Sequence, residues 1–144
     1  LDPEHSGINL FDNNWKIYSR NSGMTGHKIS ASADVHDSMI TDGCRIKGTV
    51  KHSVLFAGVK VAEGAVVEDA VVMGGTTIER GAVVRHCIIA ENVTIKENAV
   101  VGAMPEGDEH GVATVGSGIT IGEGAVIGPK AMVRNNVEGG EEQW

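Results

Sequence analysis

The segment GVKVAEGAVV (residues 58–67) decides the fold, because it returns along the chain at a fixed period. GTTIERGAVV (75–84) and NVTIKENAVV (92–101) each begin 17 residues after the preceding copy. GITIGEGAVI (118–127) begins 26 residues after the third copy. A repeat of this length is expected of one coil of a solenoid.

A second, shorter unit lies between the copies of the first. It occurs as VHDSMI (35–40), VKHSVL (50–55), VEDAVV (67–72) and VRHCII (84–89). Large aliphatic residues therefore recur every five or six residues, for example at Val61, Val67 and Val72. Three such steps close one coil, which predicts three short strands per coil, each with an inward aliphatic residue. We expect an all-β fold, a triangular parallel β-helix of hexapeptide repeats with coils of 17–18 residues.

The repeats resemble the left-handed hexapeptide β-helix family, and the left hand is what this resemblance implies, since general crossover preferences favour the right hand. Coils should lie about 4.8 Å apart, so equivalent residues form columns. The predicted domains are a junction at 1–28, the β-helix at 29–137 with an extruded loop at 103–114, and an acidic tail at 138–144. Pro105 and the glycines around it mark the loop.

Composition narrows the possible functions. The formal net charge of −7 argues against nucleic-acid or anionic membrane surfaces, which are bound through clustered Lys and Arg. No apolar run reaches the roughly 18 residues of a membrane helix. We therefore predict a soluble, cytoplasmic protein. The chain begins at Leu1 without Met, and we expect it to be part of a longer protein.

The pair His86–Cys87 first suggests a metal site or a nucleophile. The period instead places His52, Asp69 and His86 at one outer edge on successive coils, where a solvated turn is expected. The two histidines would lie about 10 Å apart, too far for ligands that must approach zinc to about 2.0–2.1 Å. Cys44 and Cys87 fall at small inward positions, so we expect inert buried thiols.

His110 in the extruded loop is the best single candidate for a general base, since hexapeptide acyltransferases use a positioned His and such a loop. The acidic residues around it would repel the phosphates of coenzyme A. The glycines near 116–124 are predicted to be turn residues, because no GxxxxGK[ST] motif follows. Outside the repeats, the aromatic residues Phe11, Trp15 and Tyr18 need a surface to pack on.

Two stretches resemble the bacterial glucose-1-phosphate adenylyltransferases. WKIYS (15–19) is similar to that family's W-x-I-Y-T/S junction. DGCRIKGTVKHSVLFAGVKVAEGAVVEDAVVM (42–73) is similar to its E/D-G-C-x-I-x-G-x-V-x-x-S-V-L-F run, which includes a 15-residue coil. Generic hexapeptide proteins share the period but lack this run.

The resemblance implies a parent enzyme that converts ATP and glucose 1-phosphate to ADP-glucose and pyrophosphate with Mg²⁺, for glycogen synthesis. This chain would be its C-terminal regulatory and oligomerisation domain, with no catalytic or metal-binding residues and no cofactor of its own. Implied partners are the N-terminal catalytic domain, a homo- or hetero-tetramer and phosphorylated effectors. Lys47, Lys51 and Lys60 are the candidate effector-binding residues. The alternatives are a stand-alone acyltransferase using coenzyme A and a purely structural scaffold.

Overall fold

The protein is a stack of short parallel strands. The computed structural model describes residues 6–10, 12–16, 21–107 and 111–144. These residues contain seventeen strands, and every printed pairing between them is parallel. The strands are β1 Lys28–Ile29, β2 Asp34–His36, β3 Met39–Ile40, β4 Arg45–Ile46, β5 Thr49–Lys51, β6 Val54–Leu55, β7 Lys60–Val61, β8 Val66–Val72, β9 Thr77–Ile78, β10 Val83–Ile89, β11 Thr94–Ile95, β12 Val100–Val101, β13 Ala113–Val115, β14 Thr120–Ile121, β15 Val126–Ile127, β16 Met132–Val133 and β17 Glu142–Gln143.

The strands form three faces, as the hexapeptide pattern predicts. Face 1 is the sheet β1-β4-β7-β9-β11-β14. Face 2 stacks β2, β5, β12, β15 and β17 with the first halves of β8 and β10, and face 3 stacks β3, β6, β13 and β16 with their second halves. The predicted all-β class and parallel β-helix architecture are confirmed.

The register gives the length of each coil. Lys60 pairs with Thr77 and Thr77 with Thr94, a step of 17 residues. Val54 pairs with Met39, a step of 15, which agrees with the short coil predicted there. Ile88 pairs with Thr114 instead of a residue 17 positions on, because the extruded loop intervenes. The loop is shorter than predicted at its far end, since residues 113 and 114 belong to β13.

The core is a set of aliphatic columns, one for each face. On face 1 alternate residues point inward, and Ile46, Val61, Ile78, Ile95 and Ile121 are each at most 1% exposed. Smaller residues occupy the inward positions beside the corners, where the coil is narrow. One such column contains Ser53, Ala70, Cys87, Ala113 and Ala131.

Two of the three corners are turned by glycine or asparagine with positive φ. Gly64, Gly81 and Asn98 turn the corner from face 1 to face 2, at φ of 74°, 70° and 58°. Gly and Asn adopt this left-handed conformation at lower cost than other residues. The third corner, from face 2 to face 3, is built differently and is described below.

Each end of the stack carries a cover. At the start, Gly43 N–H donates to Thr25 O at 2.7 Å, and the Met24 side chain lies against the corner glycines Gly43 and Gly58. At the end, the Trp144 ring lies against Gly128 although it is 77% exposed. The stretch 138–144, predicted as an acidic tail, contains β17, which pairs with β15 and extends face 2.

The N-terminal aromatic residues are described in part. Trp15 is 66% exposed, so it has not found the packing surface that we expected. Phe11, Tyr18 and His110 lie outside the described residues. No helix among the described residues is both long enough and apolar enough to cross a membrane.

Candidate functional site

Three basic side chains stand in one column on face 1. Lys28 pairs in register with Arg45, and Arg45 with Lys60. Their neighbours Ile46 and Val61 point into the core, so the three side chains point outward. Adjacent rungs lie about 4.8 Å apart. We call Lys28, Arg45 and Lys60 the basic ladder.

The basic ladder is not neutralised within the chain. All three residues are exposed, and no ion pair between described residues includes any of them. Other basic residues are paired, as in Lys96 Nζ–Glu79 Oε1 at 3.0 Å. Like charges on adjacent strands repel, so an anion bound between them would relieve the repulsion.

The structure separates the three lysines that the sequence singled out. Lys60 is a rung of the basic ladder, and Lys47 is exposed just after β4, two residues beyond Arg45. Lys51 lies on face 2, where its Nζ is 3.7 Å from Asp34 Oδ2. The sequence analysis missed Lys28 and Arg45. Column arithmetic would have found both, because Arg45 precedes Lys60 by one 15-residue coil.

The other end of face 1 has the opposite charge. A groove of about 590 Å³ there is lined by Glu79, Lys96, Glu97, Thr120, Gly122, Glu123, Asn136, Val137 and Glu138. The unpaired cations therefore lie at the N-terminal coils of face 1, and the carboxylates gather at its C-terminal coils.

The corner between faces 2 and 3 carries the acid–histidine column that the repeats predict. Asp37, His52, Asp69 and His86 occupy equivalent positions on successive coils. All four have positive φ, between 40° and 48°. Asp and His are enriched among the few non-glycine residues that adopt this conformation. We call these four residues the acid–histidine corner.

Contacts at this corner differ from the solvated edge that we predicted. His52 Nδ1 contacts Asp69 Oδ1. His86 is only half-buried, but its Nε2 is buried and has no hydrogen-bond partner. The prediction of a solvated edge is therefore wrong for His86, since the extruded loop folds back and brings Pro105 to the same groove. Column arithmetic gives no position for a residue outside the repeat.

The groove at this corner has a volume of about 410 Å³. Its lining is His52, Val54, Asp69, Ala70, Val71, His86 and Pro105. No group of three or more His, Cys, Asp or Glu side chains among the described residues is arranged to hold a metal ion. The lining combines apolar walls with imidazole and carboxylate groups.

Both cysteines are buried, as predicted. Cys87 is 2% exposed, and desolvation by burial raises the pKa of its thiol to about 12. Cys44 is fully buried, and desolvation likewise raises the pKa of its thiol, opposed by backbone hydrogen bonds. A thiol with a raised pKa is a poor nucleophile at neutral pH.

Comparison with known proteins gives related sequences and related folds. Residues 23–122 match the family described as "GlmU-like, C-terminal hexapeptide". Glucose-1-phosphate adenylyltransferase of Geobacillus stearothermophilus is 46% identical over 65 residues, which are 45% of this chain and 17% of that protein. The enzyme of the same name from Bacillus mycoides (strain KBAB4) is 48% identical over 67 residues, 46% of this chain and 18% of that protein. The chain thus spans less than a fifth of the length of these relatives.

Solved structures of acetyltransferases share the fold. The acetyltransferase domain of PglB from Neisseria gonorrhoeae FA1090, in complex with acetyl coenzyme A, has a TM-score of 0.58 at 20% identity, covering 83% of this chain and 54% of that one. PerB from Caulobacter crescentus, in complex with CoA and GDP-perosamine, has a TM-score of 0.54 at 19% identity, covering 81% and 52%. At these identities the likeness concerns the fold alone.

Proposed function

This chain belongs to the GlmU-like, C-terminal hexapeptide family, and from that premise we propose that it is the regulatory and oligomerisation domain of a glucose-1-phosphate adenylyltransferase. The parent enzyme would form ADP-glucose and pyrophosphate from ATP and glucose 1-phosphate. The observation that carries the proposal is the 46–48% identity to enzymes of that name over 65–67 residues. The acetyltransferase folds reach only 19–20% identity.

Local structure supports the assignment. The family-like run G-T-V-K-H-S-V-L-F (48–56) forms the coil that returns after 15 residues. Ser53 adapts the corner of that coil, because its Oγ donates to Lys51 O at 2.7 Å and accepts from Ala70 N at 3.1 Å. A sequence feature that distinguishes the family thus has a structural purpose.

The basic ladder, with Lys47 beside it, is our proposed site for a phosphorylated effector. Phosphate oxygens accept charge-assisted hydrogen bonds from Arg and Lys, and Arg45 offers a planar fork for two of them. Lys51 was grouped with these residues on sequence grounds, but it lies on face 2 beside Asp34 and would not contact the same ligand. The proposal is therefore revised to Lys28, Arg45, Lys47 and Lys60.

Other parts of the proposal rest on the resemblance alone. They are contact with an N-terminal catalytic domain, assembly into a homo- or hetero-tetramer, a cytoplasmic location and a role in glycogen synthesis. Mg²⁺ would act in the catalytic domain, since the described residues here contain no cluster that could hold a metal ion.

Titration with inorganic phosphate and glucose 6-phosphate tests the effector site. We expect saturable amide shifts in NMR spectra at Arg45 and Lys60, and about tenfold weaker binding in Lys60→Thr, which removes one charge-assisted hydrogen bond. Thr is the residue of the next rungs, at positions 77, 94 and 120. Lys51→Thr is the matched control and should bind as the wild type does. Equal weakening in both variants, or no binding, would overturn the assignment.

The alternative, an acyltransferase using coenzyme A, makes a different prediction. Such an enzyme would be a trimer that binds coenzyme A between neighbouring helices. Its candidate base, His110, lies outside the described residues, and no Lys or Arg lines the described groove at the acid–histidine corner to meet phosphates. A solution mass measurement with an acetyl-coenzyme A titration separates the two. A trimer with saturable binding would overturn the adenylyltransferase proposal.

A further inference from the structure

The groove at the acid–histidine corner has no role in the function proposed above. It lies at the corner between faces 2 and 3, away from the basic ladder on face 1. Its polar lining consists of His52, Asp69 and His86, held at the corner by left-handed backbone. Such backbone is unfavourable for residues other than glycine, and strained residues of this kind cluster at functional sites.

Asp69 has spare capacity to accept hydrogen bonds. Its Oδ1 contacts His52 Nδ1, while no hydrogen bond of Oδ2 is found with any other described residue. The contact also fixes the His52 tautomer, since the carboxylate oxygen can only accept. His52 Nδ1 therefore carries a proton, and in the neutral ring His52 Nε2 is an acceptor.

His86 adds a further acceptor inside the groove. Its Nε2 is buried and has no partner. Leaving a buried polar atom unpaired costs about 1–3 kcal/mol, so such an atom calls for a ligand or a water molecule. In the tautomer with the proton on Nδ1, His86 Nε2 accepts a hydrogen bond.

The groove thus offers acceptors and few donors. No Lys or Arg is among its lining residues, and Val54, Val71 and Pro105 provide apolar walls. The ammonium group is the complementary partner, because it has three donors and no acceptor. A carboxylate or phosphate would meet the Asp69 charge without a compensating cation, and metal ions are disfavoured because the described residues form no ligand cluster.

We propose that this groove binds a small aliphatic primary amine. The ammonium group donates to Asp69 Oδ2 and His86 Nε2, and the hydrocarbon part lies against Val54, Val71 and Pro105. The volume of about 410 Å³ is at the lower end of the range for small-molecule sites, so the ligand is short. The extruded loop, through Pro105, closes one side of the site.

Propylamine, propan-1-ol and sodium propionate form a matched set of probes for this site. With ¹⁵N-labelled protein, propylamine should shift the His86 ring nitrogens and the Ala70 and Val71 amides saturably. Propan-1-ol should bind about tenfold more weakly, since it forms no charge-assisted bond to Asp69. Propionate should not bind. No saturable shift with propylamine, or propionate binding as tightly, would overturn the proposal.

Two substitutions tolerate the left-handed backbone and remove one acceptor each. Asp69→Asn keeps an oxygen for His52 but loses the charge, and His86→Asn removes the buried imidazole. Each should weaken propylamine binding about tenfold. Asp37→Asn is the control, because Asp37 occupies the same corner but does not line the groove. Equal weakening by the control, or a proton found on His86 Nε2 in the free protein's NMR spectrum, would also overturn the proposal.

This outcome is independent of the adenylyltransferase proposal. The basic ladder and the corner groove share no residue. Phosphate binding at face 1 with no amine binding would reject the inference alone, and the reverse result would reject the effector site alone.

Discussion

Arg45 and Lys60 are register partners on adjacent parallel strands, and neither forms an ion pair with a described residue. Farther along face 1 the same column holds Thr77, Thr94 and Thr120, which have high strand propensity and carry no charge. The chain thus retains a repulsive arrangement at one end of a face whose other end shows a neutral alternative. Residues kept against local stability are expected at functional sites.

Replacing Arg45 with Thr should stabilise the protein. We expect the free energy of unfolding to rise by about 0.3–0.5 kcal/mol at low salt, because like charges on adjacent strands are destabilising. The difference should shrink at 1 M salt, where the screening length is about 3 Å. Urea unfolding at both salt concentrations measures it. Clear destabilisation at low salt would mean that Arg45 has a structural partner.

Replacing Ile95 with Ala should strongly destabilise the fold. Ile95 is fully buried in the face 1 column, and truncating a buried Ile to Ala costs about 2–5 kcal/mol. The matched control is Thr94→Ala, the outward neighbour on the same strand, with an expected change of about 0.5 kcal/mol. Comparable losses in urea unfolding of both variants would contradict the inward and outward positions of this column.

Replacing Gly64 with Ala should destabilise the protein through its backbone alone. An added Cβ would have room, since its nearest neighbour would be Gly81 N at 3.8 Å, but φ is 74°. We expect a loss of about 1–2 kcal/mol. Gly64→Asn should lose less, because Asn98 turns the same corner at φ 58°. Thermal unfolding of both variants would contradict this explanation if Asn were the worse of the two.

Replacing Cys87 with Ala should reduce the loss of stability at alkaline pH. Burial raises the thiol pKa from 9.0 to about 12, so above pH 9.0 the unfolded chain loses this proton while the folded protein keeps it. Stability present below pH 9.0 is then lost toward pH 12, by up to about 1.4 kcal/mol per pH unit from this thiol. Ala is already the residue at positions 70 and 113 of the same column.

Urea unfolding of wild type and Cys87→Ala at pH 8, 9 and 10 measures the difference between their slopes. Cys44 contributes to both proteins in the same way, because its thiol pKa is also raised by burial. Identical pH dependence in the two proteins would show that the Cys87 thiol can ionise in the folded state.

The period predicted most of the fold, since each repeat buries the same positions. Ile78 and Ile95 fall into one column, and Ser53, Ala70 and Cys87 fill a narrow corner, because stacked parallel coils leave little freedom of register. The strand β17 in the predicted acidic tail was missed because Glu142 and Gln143 carry none of the aliphatic pattern.

The candidate sites were harder to predict because they depend on comparisons between coils of unequal length. The 15-residue coil brings Arg45 beside Lys60, whereas sequence proximity had grouped Lys60 with Lys51. His86 was expected in solvent, and its surroundings changed because residues outside the repeat fold back over the corner. The path of such a loop depends on tertiary contacts that a periodic pattern does not encode.

The most direct measurement is the formation of ADP-glucose and pyrophosphate from ATP and glucose 1-phosphate by the full-length protein that carries this chain. The account predicts Mg²⁺-dependent synthesis that responds to phosphorylated metabolites, with the response weakened by Lys60→Thr. Transfer of acetyl groups from acetyl-coenzyme A without any ADP-glucose formation would contradict it.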